Sequence, residues 1–193
     1  MTADKKMTVF ISGSAYGYGR LGSAGKFFIK DLSRALVKND FNIVSGYGLG
    51  VGTHVVDGAL EEIYYKKKEK IADRLQVFPF PSEPYTEKVS HSYRDDMISR
   101  AEVAFFLFGN KLQDISVKEA DGLLKEFDIA RSHRVLLIPV GATGYASEKL
   151  WKRVMEDYDD YFATREKFDL LQQLGDPSHD PETLIDLAVR AAS

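Results

Sequence analysis

Two glycine-rich segments and three separated charged side chains hold most of the binding chemistry in this sequence. The first segment is Gly13-Ser14-Ala15-Tyr16-Gly17-Tyr18-Gly19-Arg20-Leu21-Gly22; the second is Gly46-Tyr47-Gly48-Leu49-Gly50-Val51-Gly52-Thr53. Glycine reaches positive φ and lets the backbone approach a ligand with no Cβ in the way. Amide N–H groups bared at the start of a following helix attract anions such as phosphate. The bland alternative is that these glycines only make tight turns. Arg94, in Tyr93-Arg94-Asp95-Asp96-Met97, offers a planar fork of donors suited to a phosphate or a sugar edge. It could equally pair with Asp95, Asp96 or a neighbouring helix. Lys111 can meet a phosphate as a point charge, or be an ordinary loop lysine. Glu126, one helical turn after Gly122, can accept hydrogen bonds from two ribose hydroxyls, or pair on the surface with Lys125 or Arg131.

Standard nucleotide motifs fit poorly. Gly17-Tyr18-Gly19-Arg20-Leu21-Gly22 matches G-x-G-x-x-G, but it starts several residues after the preceding strand. Ser45-Gly46, not an acidic residue, ends the second strand, which argues against a redox dinucleotide domain. Gly25-Lys26 is not a triphosphate loop, because Arg20 stands where the first glycine belongs and Phe27 where Ser or Thr belongs. His54, His91, His133 and His179 lack metal-ligand spacing and read as surface or helix-end residues. Asp157, Asp159 and Asp160 read as caps of the helix after them. No metal and no cofactor are expected.

The chain lacks cysteine, so disulfides, thiolate catalysis and Cys-type zinc sites are out. Lys+Arg 26 against Asp+Glu 29 gives a net charge of −3. The longest basic run, Lys66-Lys67-Lys68, reads as a solvated helix end, and duplex nucleic acid is not an expected partner. Met1–Lys6 is polar, without an apolar signal core; it reads as a disordered or added tail, in a lone domain or a standalone homologue. The apolar runs Val103–Phe108 and Val135–Val140 are far short of the roughly 20 residues of a membrane helix. A cytoplasmic protein with no membrane association is expected.

These groups must be positioned by regular elements. Short apolar, β-rich runs predict strands at Thr8–Ser12, Phe41–Ser45, Leu75–Phe80 (closed by Pro79, Pro81 and Pro84), Val103–Phe108 and Val135–Val140. Helical spacing predicts helices at about Gly25–Lys38, Thr53–Lys68, along Val89, Tyr93, Met97 and Ala101, and at Val117–Ser132. After a turn at Gly141–Gly144, helices are predicted over Ser147–Tyr158, Asp160–Leu174 and Pro181–Ala192. The alternation predicts a single α/β domain over residues 1–193. It would be a Rossmann-like, doubly wound parallel sheet of about five or more strands, with helices on both faces. Residues 8–140 form the core and 147–192 the extra C-terminal helices. In such sheets ligands lie beyond the carboxyl ends of the strands.

Ser12-Gly13-Ser14, then Val44-Ser45-Gly46-Tyr47-Gly48-Leu49-Gly50-Val51-Gly52 with Asp57-Gly58-Ala59 downstream, resembles the SLOG superfamily over roughly Thr8 to Val140. That superfamily includes the LOG phosphoribohydrolases and the DprA-type nucleotide-binding proteins. Within it, the chain resembles the C-terminal SLOG domains of Thoeris antiphage effectors. The resemblance implies a domain that senses a cyclic ADP-ribose isomer made by a partner TIR protein and thereby activates an attached sirtuin-like NAD+ hydrolase. It also implies a homodimer, with a higher oligomer for the full-length protein. This domain would itself catalyse nothing.

LOG enzymes carry P-G-G-x-G-T-x-x-E. Aligned here, Lys118-Glu119-Ala120-Asp121-Gly122-Leu123-Leu124-Lys125-Glu126 keeps only Gly122 and Glu126. Loss of the Pro-Gly-Gly turn and the threonine weighs against phosphoribohydrolase activity. That activity is the alternative reading, with Glu126 and Arg94 stabilising an oxocarbenium-like transition state. A DprA-like role on DNA is opposed by the weakly acidic charge. The resemblance implies Arg94, Lys111 and Glu126 as ligand contacts, with Gly13, Ser14, Gly46, Gly48, Gly50, Gly52 and Thr53 completing the expected ligand-binding set. Tyr16, Tyr18 and Tyr47 would stack on an adenine or pack within the loops.

Overall fold

The structure, a computed structural model, describes residues 5–65, 69–80, 86–161 and 165–193. Five parallel strands form the central sheet in the order β3-β2-β1-β4-β7: β1 (Thr8–Ser14), β2 (Asn42–Ser45), β3 (Leu75–Val77), β4 (Val103–Phe108) and β7 (Leu136–Pro139). The order runs outward from β1 in both directions, so the chain reverses its winding between β1 and β4. A crevice opens outside the carboxyl ends at such a switch point.

Alternation along the strands fills two cores. Val9, Ile11, Ile43, Val103, Phe105 and Ile138 face one side. There they pack against α1 (Ala24–Lys38), α2 (Gly52–Tyr65) and α9 (Pro181–Ala192). Phe10, Val44, Ala104, Phe106 and Leu137 face the other, against α4 (Glu87–Ile98), α5 (Asp121–Ser132) and α6 (Tyr145–Glu156). Every residue of β4 is buried, as a central strand covered on both faces must be. Helices α1 and α2 come close enough that a Cβ on Gly58 would lie 2.0 Å from the Lys30 carbonyl oxygen. Asp180 caps α9, accepting from the Thr183 amide at 2.9 Å ahead of Pro181.

Three expectations need correction. The helix expected from Val117 begins at Asp121. Before it stands an antiparallel hairpin, β5 (Asn110–Gln113) and β6 (Ser116–Glu119), turning at Asp114 with φ 56°. Val117 lies in helical phase with Ala120 and Leu124, which hides the hairpin from a periodicity reading. Strand three stops at Val77; the Phe78 amide still donates to the Ser45 carbonyl at 2.8 Å, and Pro79 and Phe80 run on beyond the sheet. Over the stretch expected as one helix, Asp160–Leu174, the described residues are helical as α7 (Tyr158–Tyr161) and α8 (Arg165–Leu174), and residues 162–164 lie outside the described residues. The helix after α6 begins at Tyr158, earlier than expected, so Asp159 and Asp160 lie within it and of the three aspartates only Asp157 precedes it. A short α3 (Ile71–Arg74) leads into β3, and its buried Arg74 donates to the carbonyls of Val37 and Phe41. The expected helix end at Lys66–Lys68, Pro81, Pro84 and the first four residues of the tail lie outside the described residues.

The two glycine segments interlock at the carboxyl edge. A Cβ on Gly48 would sit 2.0 Å from the Gly13 carbonyl oxygen, and one on Gly50 (φ +69°) 1.9 Å from that of Ala15. The Ala15 amide donates to Leu49 at 2.7 Å. Nothing lies within 4 Å of a Cβ placed on Gly17. Gly48→Ala is therefore expected to destabilise the fold by about 2 kcal/mol or more, lowering Tm by ~4–8 °C, while Gly17→Ala stays near wild type. Paired thermal and urea unfolding curves check the contrast.

Candidate functional site

A cavity of about 480 Å³ lies beyond β1 and β2, roofed by α4 and α5 and bounded by β5. Its floor is a hydrogen-bonded chain drawn from three elements. Ser12, buried on β1, donates its hydroxyl to Glu126 Oε2 at 2.5 Å. Glu126 Oε1 accepts from Arg94 Nε at 3.3 Å, joining α5 to α4. Both charged side chains are nearly closed off, at 15% exposure for Arg94 and 12% for Glu126.

Arg94 is held on every side. Its Nη1 donates to the Ser90 hydroxyl and carbonyl, one turn earlier on α4. Its guanidinium lies 4.6 Å from the centre of the Phe80 ring, a cation–π contact. Phe80 packs edge-on to Tyr93 at 5.0 Å, and the Tyr93 hydroxyl donates to the Pro79 carbonyl at 3.1 Å. The segment after β3 thus serves as a bracket for the arginine, which its apolar composition alone does not suggest.

Two further ion pairs line the mouth: Lys111 of β5 with Asp121 of α5, and Lys125 of α5 with Glu87 of α4. Sequence reasoning missed Ser12, Phe80, Ser90, Glu87, Asp121 and Lys125. The signal that could have found Asp121 and Lys125 is their spacing: each directly precedes Gly122 or Glu126, so the two lie one turn apart on a stripe beside the Gly122–Glu126 face. Phe80 and Glu87 become neighbours of the site only through the sheet order.

The expected ligand-binding set divides. Gly13, Ser14, Gly46, Gly48, Arg94, Lys111 and Glu126 line the cavity together. Gly50, Gly52 and Thr53 are not among the lining residues: Gly50 meets Ala15, Gly52 meets Tyr47, and the Thr53 hydroxyl donates to that of Tyr47 at 3.3 Å. Several amides of the first segment are also consumed internally. Buried Asn110 accepts from Tyr16 and Gly17 at 3.0 Å each and returns a bond to the Gly17 carbonyl at 2.8 Å. Tyr18 packs on Phe108 and donates to the Gly50 carbonyl at 2.9 Å, a loop-packing role. Tyr16 and Tyr47 are exposed and outside the lining. His133 pairs with Asp95 at 2.7 Å and His54 meets Tyr18 at 3.2 Å. Among the described residues no group of acidic and imidazole side chains is arranged to hold a metal ion.

Burial pushes the Glu126 carboxyl above its usual range, against the opposing pull of the Ser12 hydrogen bond and of Arg94. Lys111 holds Asp121 below the usual range, and Lys125 does the same for Glu87. The folded chain keeps the Glu126 proton at pH values where the unfolded chain has released it. Its contribution to stability therefore falls as pH rises from about 4, the unperturbed glutamate range, through the raised value. Glu126→Gln is expected to remove that part of the slope, read from urea midpoints across a pH series.

Comparison with known proteins fits this geometry. Residues 2–192 match the model of STALD, the Sir2- and TIR-associating SLOG family. The curated protein named NAD(+) hydrolase ThsA from Bacillus cereus (strain MSX-D12) is 43% identical over 159 residues, covering 82% of this chain and 33% of that protein. ThsA from Cytobacillus dafuensis is 40% identical over 190 residues, covering 92% and 37%. The chain thus spans about a third of the length of these relatives. Among solved structures, TM1055, a structural genomics target, superposes with a TM-score of 0.55 at 13% identity, covering 84% of this chain and 88% of that one. DNA processing protein A from Helicobacter pylori, a single-stranded DNA binder by its description, gives 0.53 at 16%, covering 97% and 82%. At such identities these two likenesses concern the fold alone. No helix among the described residues is long and apolar enough to cross a membrane. With the family model matched along nearly its whole length, the chain belongs to the Sir2- and TIR-associating SLOG family.

Proposed function

We propose that this domain is a receptor for a cyclic ADP-ribose isomer, and that it regulates an attached sirtuin-like NAD+ hydrolase in antiphage defence. The observation that carries this reading is the convergence of Arg94, Lys111 and Glu126, from three separate elements, on one cavity. Its volume of about 480 Å³ falls within the ~300–1,000 Å³ common for small-molecule sites. Arg94 and Lys111 supply positive charge for a diphosphate. Glu126, when ionised, supplies acceptors for ribose hydroxyls. The kinship with ThsA supports the same reading. Regulation requires only that the ligand favour one arrangement of the whole protein over another, and a homodimer in which two copies are rearranged meets that requirement.

Sensing is favoured over turnover because the segment that should carry the Pro-Gly-Gly turn of LOG enzymes is the end of a hairpin, β6, followed directly by α5. The two fates are separable by experiment. Incubation with AMP, followed by chromatography, is expected to show no free adenine; release that disappears in Glu126→Ala would establish the phosphoribohydrolase instead.

Calorimetric titration tests the ligand. A cyclic ADP-ribose isomer is expected to bind tightly and AMP weakly, and Arg94→Ala to lose tenfold or more in affinity, since a charge-assisted hydrogen bond contributes about 1.5–3 kcal/mol. Equal affinity for AMP would overturn the assignment.

A further inference from the structure

The charges around the cavity are matched by the protein's own side chains. Three cations line it, Arg94, Lys111 and Lys125, and three carboxylates, Glu126, Asp121 and Glu87, are paired with them one to one. The pairs differ sharply in exposure. Arg94 and Glu126 stand at 15% and 12%, whereas Asp121 stands at 67% and Glu87 at 80%. Along the mouth the four outer groups alternate in sign: Lys111, Asp121, Lys125, Glu87. Asp121 and Lys125 sit one turn apart on α5, and Asp121 feels both lysines. Glu87 feels Lys125 and Arg94 in attraction and Asp121 in repulsion.

Such exposed pairs are weak, about 0–1 kcal/mol each, because water and salt screen them. A carboxylate on a short, solvent-facing side chain can swing away when a stronger anion arrives. Glu126 cannot, since Ser12 and Arg94 hold both its oxygens. A ligand with an anionic group and sugar hydroxyls would therefore meet two kinds of carboxylate: one that stays and accepts, and two that yield.

Building on the receptor reading, we propose that Asp121 and Glu87 stand in for ligand phosphates on Lys111 and Lys125. On binding they are displaced, so Lys125 joins Arg94 and Lys111 as a third phosphate-binding cation and Asp121 becomes a determinant of selectivity. Each phosphate gained breaks one pair as it forms another, so net electrostatic gain is small and binding depends on the fit of the whole ligand. Simple polyanions, which have no hydroxyls for Glu126, gain little. Removing either carboxylate frees a cation and makes the site indiscriminate. Salt dependence follows the same logic. Exchange of one ion pair for another is nearly salt-neutral, whereas formation of a new pair is screened.

The test is calorimetric titration of wild type, Asp121→Asn, Glu87→Gln and Lys125→Ala, at two salt concentrations. The probes are inorganic pyrophosphate and a cyclic ADP-ribose isomer, and unfolding curves confirm that each variant folds. Asp121→Asn and Glu87→Gln are expected to bind pyrophosphate about two- to fivefold tighter, with a steeper loss at high salt, and Lys125→Ala to bind it more weakly. Unchanged affinity and unchanged salt slope in both carboxylate variants overturn the proposal, as does an inert Lys125→Ala or absence of pyrophosphate binding in every variant. If ADP-ribose isomers bind and depend on Arg94 but these three substitutions do nothing, only this proposal falls. If pyrophosphate responds as expected and no ADP-ribose isomer binds, the displacement stands and the receptor reading falls.

Discussion

A carboxylate almost withdrawn from water, held between a hydroxyl and a guanidinium, is the constraint around which the site is arranged. Burying an ionised carboxyl costs several kcal/mol unless its lone pairs are met. Ser12 meets one oxygen of Glu126 and Arg94 the other. Because the three residues come from β1, α5 and α4, the chain also locks those elements at one spacing. Arg94 is bracketed in turn by Ser90 and Phe80, so the cavity floor is braced by the protein's own contacts. A site organised in this way would lose little conformational freedom on binding.

The sheet makes this meeting possible. Strand order 3-2-1-4-7 places the reversal of winding between β1 and β4, so Ser12 and Lys111 arrive at neighbouring ends of the same edge. The two glycine segments fasten that edge. Gly48 and Gly50 let one loop lie against the backbone of the other, and Asn110 ties the first loop to the start of the hairpin. Most of this glycine is spent on loop against loop, and of the two segments only Gly13, Ser14, Gly46 and Gly48 line the cavity.

How much of this was legible in the sequence follows from which forces are local. The five strands could be read because β1 and β4 alternate or saturate with apolar residues over their whole length. The convergence of Arg94, Lys111 and Glu126 depends on sheet order, and glycine patterning pointed to the edge where they meet. The hairpin was hidden because Val117 fits a helical phase, and its turn rests on one left-handed aspartate. Phe80, Glu87 and Ser90 were illegible for another reason. Their role arises only from contacts made across the fold, and neither an aromatic after a short strand nor an acid in a first helical turn marks itself as part of a site. Gly50 and Gly52 show the converse: a pattern that looks like ligand contact can be satisfied by the chain's own backbone.

On the proposed reading, a buried acceptor beside two exposed anions would suit a ligand carrying both hydroxyls and phosphates. The most direct measurement is a crystal structure of the domain grown with a saturating cyclic ADP-ribose isomer. Ribose hydroxyls within hydrogen-bond distance of Glu126, and phosphate oxygens against Arg94 and Lys111, are the expected result. A ligand seated elsewhere, for instance in the groove between α1 and α9, with the Ser12–Glu126–Arg94 chain untouched, would contradict it.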